Sequence, residues 1–231
     1  LHALDRGLGR VAEAIRRRGR ADNTLIVFMS DNGASQEVIG GVSTRHGYYA
    51  RGGTRPDVDP GPPDTFASYG RSWANASNTP YRWFKKRSHE GGVATPFIAH
   101  WPAGLGEPGA FRHDPAHVID LMPTFVQLAG GRYPEQVDGR PIPPPAGVSL
   151  VPALAGQGLQ DRPLFWEHIG NRAVLSGDWK LVATVDGPWE LYNLARDRTE
   201  LNDLAGREPE IAARLETLWN DWADRSQVRR D

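Results

Sequence analysis

Five consecutive apolar residues, Leu25-Ile26-Val27-Phe28-Met29, stop abruptly at Ser30-Asp31-Asn32-Gly33. An apolar run of this length without alternation suits a strand covered on both faces, as in a parallel sheet. Before it, Leu1, Leu4, Leu8, Val11 and Ile15 recur at helical spacing with Arg and Glu between them, and Gly19 closes the pattern. Amphipathic helix followed by buried strand is an α/β rhythm. In open α/β sheets ligands gather beyond the carboxyl ends of the strands, which is where Asp31 and Asn32 stand.

Further along, residues 34–77 show no clear period and are rich in glycine. A long connection of this kind inside a compact domain is commonly functional, so it is expected to shape a pocket. Residues 95–101 read as a second buried strand, stopped by Pro102-Ala103-Gly104. Residues 117–129 read as a helix closed by Gly130-Gly131. A Pro-rich connection then fills 132–162, with one short helical stretch at 149–154. Short strands are predicted at 163–167, 172–175, 179–185 and 190–192, with Ser176-Gly177-Asp178 as a hairpin turn. The last helix starts near Pro209 and presents Ile211, Leu215, Leu218 and Trp222 on one face. The expected organisation is a main α/β part over 1–131, the connection over 132–162, and a small α+β subdomain over 163–231.

Charge and composition exclude several classes. Lys+Arg 27 against Asp+Glu 28 leaves a net charge of -1, which gives no reason to expect nucleic acid or an anionic membrane as partner. No apolar run is long enough for a membrane-spanning helix. The absence of cysteine rules out disulfides, thiolate metal sites and a cysteine nucleophile within these residues.

Two stretches carry chemistry. Asp31 and Asn32 are adjacent hard oxygen donors on a tight turn, a set that suits Ca²⁺ or Mg²⁺ rather than zinc. Two oxygens fall short of the six to eight that calcium takes. The same tripeptide Asp31-Asn32-Gly33 is also an ordinary turn. In Lys85-Lys86-Arg87-Ser88-His89-Glu90-Gly91-Gly92, a lysine upstream of a Gly-Gly turn can hold an anionic oxygen, and the same basic run can simply be solvated. His46, His89, His100, His113 and His117 are ligand types of which no two have ligand spacing on one helix, and Asp57, Asp59 and Asp64 of the loop can bind a cation or simply be solvated.

The segments "NTLIVFMSDNGAS", "SYGRSWANASNTPYRWFKKRSHEGGVATPFIAHWPAG" and "HVIDLMPTFVQLAG", in this order, resemble the type I sulfatases, in particular bacterial arylsulfatases. "RAVLSGDWKLVATVDGPWELYNLARDRTELNDLA" is similar to the small C-terminal subdomain of the same family, so the resemblance covers nearly the whole chain. It implies the C-terminal part of an alkaline-phosphatase-like α/β sandwich. A four-stranded antiparallel sheet with a closing helix would follow. It implies Asp31 and Asn32 as one of the family's pairs of calcium ligands, with Mg²⁺ the less expected ion. Lys85, five residues before Glu90, matches the lysine that contacts the substrate sulfate, with Lys86 beside it. Glu90, Gly91 and Gly92 match positions that look structural in the family. The implied partner is a small-molecule or glycan sulfate ester, and the implied location is periplasmic or secreted.

One departure matters. The family's nucleophile is a formylglycine made from Cys or Ser in a C/S-x-P/A-x-R motif. Ser77, Pro80 and Arg82 have neither its spacing nor its place in the order. The chain is therefore expected to hold part of an active site and to be inactive alone. Two alternatives stand beside a sulfuric ester hydrolase. One is a phosphoryl or phosphonate hydrolase on the same metal scaffold. The other is a non-catalytic module binding an acidic sugar, for which Trp179, Trp189, Trp219 and Trp222 are either stacking platforms or core.

Overall fold

The structure is a computed structural model and describes residues 2–38, 68 and 70–229. Most of the loop 34–77, including His46, Asp57, Asp59 and Asp64, lies outside the described residues. In chain order the elements are α1 (His2–Arg17), β1 (Ile26–Met29), α2 (Gly70–Ser77), α3 (Glu90–Val93) and β2 (Phe97–His100). A 3₁₀ turn (Val118–Asp120), α4 (Leu121–Leu128), β3 (Gln136–Val137), β4 (Arg140–Pro141) and α5 (Val151–Leu154) follow. The chain closes with β5 (Leu164–His168), β6 (Asn171–Ser176), β7 (Trp179–Ala183), β8 (Glu190–Asn193) and α6 (Pro209–Arg225). None of the described helices is long and apolar enough to cross a membrane.

The chain divides into two compact units, residues 1–29 with 96–161, and residues 30–95 with 162–231. In the first, β1 pairs antiparallel with β2, Ile26 opposite His100 and Met29 opposite Phe97. This corrects the reading of 25–29 as a parallel strand buried on both faces. The residues of β1 are half-buried, and Phe97, Ile98 and His100 of β2 are exposed. An apolar run signals affinity for cover, but strand direction is set by the connection and the partner. The expected helix at 117–129 divides at Asp120, which is fully buried. Its carboxylate accepts from His117 N–H at 2.8 Å and from Val148 N–H at 2.9 Å, so it closes the turn and anchors the following connection.

In the second unit the four predicted strands form one antiparallel sheet in the order β5-β6-β7-β8. Strand alternation sends Val174, Leu181 and Leu191 to one face, where Leu215, Trp219 and Ala223 of α6 cover them. Pro209 occupies the first turn of α6, where its missing N–H costs nothing. The four tryptophans are packing residues. Trp219 lies in this core, Trp179 packs against it, Trp222 stacks on Phe165 at 5.1 Å, and Trp189 carries Arg172 over its ring at 4.5 Å. One face of Trp189 and one face of Trp222 are thus occupied. The opposite face of the sheet carries Ala173, Lys180, Val182, Glu190 and Tyr192, and this face meets residues 82–90.

Candidate active site

The turn after β1 is built by backbone contact. Ser30 Oγ donates to Asn32 O at 2.9 Å, and Thr95 Oγ1 donates to Ser30 O at 2.8 Å. Gly33 N–H donates to Gly92 O at 3.0 Å. A Cβ on Gly33 would lie 1.8 Å from Gly91 O, and one on Gly91 would lie 2.1 Å from Arg82 O. Any side chain at either position would push these backbones apart, so glycine is what lets the Asp31-Asn32-Gly33 turn touch the Glu90-Gly91-Gly92 helix.

Lys85 arrives at the same turn. Its N–H donates to Ala34 O at 3.0 Å, while Asn78 ties the turn to the lysine segment from the other side. Asn78 Oδ1 accepts from Ala34 N–H at 3.0 Å, and its Nδ2 donates to Trp83 O at 2.9 Å. Trp83 and Lys86 hold left-handed backbone angles, φ 65° and 78°, at the two bends around Lys85. Among the described residues no hydrogen bond or ion pair engages the side chain of Asp31, which is exposed, or of Asn32, which is half-buried.

The basic run is not simply solvated. Glu37 spans two of its cations, with Lys86 Nζ at 2.9 Å from Oε1 and Lys85 Nζ at 3.4 Å from Oε2. The hydrogen bond from Lys86, and then the charge of Lys85, hold the Glu37 carboxyl below its ordinary range against the effect of burial. Arg87 leaves the cluster, donating to Asn171 Oδ1 at 2.7 Å and lying over the Trp83 ring. The structure thus brings the backbone of Lys85 to within three residues of Asn32 and Asp31. It does not gather the histidines. His89 is buried against Glu190 at 3.3 Å, His117 caps the 3₁₀ turn, and His100 and His113 are exposed.

The donor chemistry of Asp31 and Asn32, uncommitted and on a rigid turn, fits a hard cation such as Ca²⁺. Among the described residues no group of three His, Cys, Asp or Glu side chains could hold a metal ion.

Beside this turn lies a group of buried charges that the motifs alone do not single out. Lys180 Nζ lies fully buried, 2.8 Å from Glu90 Oε1 and 2.9 Å from Glu200 Oε1. Burial by itself would depress the Lys180 pKa, but the two carboxylates outweigh it and hold it above the ordinary lysine value. Burial would raise Glu90, and Lys180 with Arg198 brings it below the ordinary carboxylate value instead. Glu190 accepts from His89, from Tyr192 Oη and, at 3.6 Å, faces Arg82, and its pKa falls to about 2. Arg82 also donates to Tyr192 Oη at 3.0 Å and to Glu200 O. One signal was available: Trp179-Lys180-Leu181-Val182 places a charge inside an apolar strand, which demands a buried partner.

The sequence matches the Sulfatase family model over residues 1–131, and the model for N-sulphoglucosamine sulphohydrolase, C-terminal, over 79–225. An uncharacterised sulfatase of Schizosaccharomyces pombe is 31% identical over 232 residues, covering 94% of this chain and 40% of its own. An arylsulfatase of Klebsiella aerogenes is 32% identical over 148 residues, covering 64% of this chain and 32% of its own. The crystal structure of Ps i-CgsB in complex with k-i-k-neocarrahexaose superposes with a TM-score of 0.70 at 26% identity. It covers 96% of this chain and 41% of that one. The chain spans about two fifths, or less, of the length of these relatives. By sequence and by architecture, an α/β part joined to a small antiparallel sheet with a closing helix, the chain belongs to the sulfatase family.

Proposed function

We propose that the protein acts in metal-dependent hydrolysis of a sulfate ester, with these residues supplying part of the active site. The observation that carries this reading is the bond from Lys85 N–H to Ala34 O, which seats a lysine against the turn bearing Asp31 and Asn32. Asp31 and Asn32 are the residues that would hold Ca²⁺. Calcium, when bound, supplies charge neutralisation for the sulfate oxygens. Lys85 holds one terminal sulfate oxygen as a point charge, and so opposes the negative charge that the ester retains as its leaving oxygen departs. Glu37 balances the Lys85-Lys86 pair when no substrate is present. A sulfated glycan is the favoured substrate class, supported by the carbohydrate held by Ps i-CgsB at 26% identity.

The nucleophile has no counterpart in these residues, so the purified 231-residue chain is expected to show no turnover of an aryl sulfate. It is expected to bind calcium and inorganic sulfate. Titration calorimetry should show calcium affinity falling at least tenfold in Asp31→Asn, and sulfate affinity falling at least tenfold in Lys85→Met. Unchanged affinities in both variants would remove the reading.

A further inference from the structure

The face of the β5–β8 sheet turned away from α6 carries a charge cluster with no part in the proposed chemistry. Lys180 and Glu200 both have 0% of their surface exposed. Lys180 Nζ donates to Glu90 Oε1 at 2.8 Å and makes a 2.9 Å ion contact with Glu200 Oε1. Glu200 Oε2 accepts from the backbone N–H of Glu90 at 2.8 Å. Arg198 stands at the rim, 3.5 Å from Glu90 Oε2. These bonds tie β7 and the loop after β8 to the first residue of α3. From α3 the connection continues through backbone alone. Gly92 O accepts from Gly33 N–H at 3.0 Å, and Ala34 O accepts from Lys85 N–H at 3.0 Å.

We propose that Lys180 and Glu200 are positioning residues: their buried ion cluster docks α3 on the C-terminal sheet, and α3 in turn sets both the Asp31-Asn32 turn and Lys85. The small sheet thereby contributes to the anion site without touching substrate. Its role there rests on the sulfatase reading above, whereas the docking itself does not. Charge is the reason for the specificity. Two carboxylates buried side by side repel, and a single ammonium between them makes the arrangement favourable. Removing Lys180 leaves Glu90 and Glu200 facing each other with no cation between them, Arg198 standing at the rim and Arg82 engaged by Glu190 and the Glu200 carbonyl, so α3 must lift. Removing one carboxylate as well ends the repulsion, and a glutamine at 200 can accept from Glu90 N–H while donating to the Glu90 carboxylate.

Amide hydrogen exchange and inorganic sulfate titration, in calcium-containing buffer, test this on the 231-residue chain. In Lys180→Met the amides of Gly33 and Lys85 should lose protection tenfold or more, while Val174 in β6 and Leu215 in α6 change less than threefold. Sulfate affinity should fall about tenfold. In the double variant K180M/E200Q both quantities should return to within threefold of the parent. Unchanged protection at Gly33 and Lys85, equal loss at Val174 and Leu215, or a folded double variant without recovery would each overturn the proposal. If Lys180→Met fails to fold, Glu200→Ala reads the same protection ratio, since it removes the acceptor for Glu90 N–H and leaves Lys180 paired with Glu90. Selective loss at Gly33 and Lys85 there supports the proposal, and no loss overturns it. Sulfate that ignores the parent chain, or binds Lys85→Met equally, would sink the sulfate reading while the exchange comparison still decides the docking.

Discussion

A lysine with no exposed surface pays for its lost hydration unless carboxylates surround it, and Lys180 has two. The same logic runs through Glu190, held at about 2 against an ordinary value of 4.5 by hydrogen bonds from His89 and Tyr192 and by the nearby Arg82 charge. Both kinds of shift have a sign in stability. A carboxylate whose folded pKa is depressed contributes fully above its unfolded value of 4.5, and that contribution is lost as pH falls toward 2. A lysine whose folded pKa is raised contributes fully below its unfolded value of 10.5, and loses its contribution as pH rises above that. The thermal midpoint is therefore expected to be level between about pH 6 and 9 and to fall steeply below pH 4.5. Glu190→Gln should flatten part of the acid limb, and an acid limb identical to the parent's would show that Glu190 is not its source.

At the scale of elements, the C-terminal sheet is legible because each of its turns announces itself. Gly177 takes φ 56° between β6 and β7, as the Ser176-Gly177-Asp178 signal requires. The β5–β6 turn is less orthodox. Its two central residues are Ile169 and Gly170, with φ 52° and 76°, the pattern of a type I′ hairpin. Isoleucine is branched at Cβ and strained in this region, and here it is exposed, so no packing offsets the strain. Ile169→Asn is expected to stabilise the chain by about 1 kcal/mol. A lowered denaturation midpoint would mean that Ile169 makes a contribution the hairpin geometry does not express. By contrast β1 carried a clear apolar signal and no directional one. Its antiparallel pairing with β2 depends on residues about seventy positions away.

At the scale of the whole molecule, the two compact units differ in how well they cover their apolar surface. The second unit closes around Val174, Leu181, Leu191, Leu215 and Trp219. The first exposes Leu4, Leu8 and Val11 along α1, Ile98 on β2, and Met122 and Phe125 on α4. Exposed apolar surface of this extent marks an interaction surface or an aggregation hazard. The isolated 231-residue chain is expected to enhance the fluorescence of a hydrophobic dye in its native state. The triple variant L4E/L8E/V11E should lower that signal at least twofold without changing far-ultraviolet circular dichroism. Equal dye binding would place the sticky surface elsewhere.

What the sequence by itself determined is whatever depends on neighbours along the chain. The helix of 2–17, the four C-terminal strands, their hairpin turn at Gly177 and the proline-started final helix all follow from periodicity and local backbone preference. Family resemblance added Asp31, Asn32 and Lys85 as residues worth testing together. Only the tertiary structure decided that Glu37 shares Lys85 and Lys86, that Lys180 answers Glu90 and Glu200 across some twenty to ninety residues, and that Gly33 and Gly91 must lack side chains because two backbones meet there. The physical reason is the same in each case. Charge pairing and backbone packing are fixed by distance in space, and a one-dimensional pattern records such a demand without naming what satisfies it.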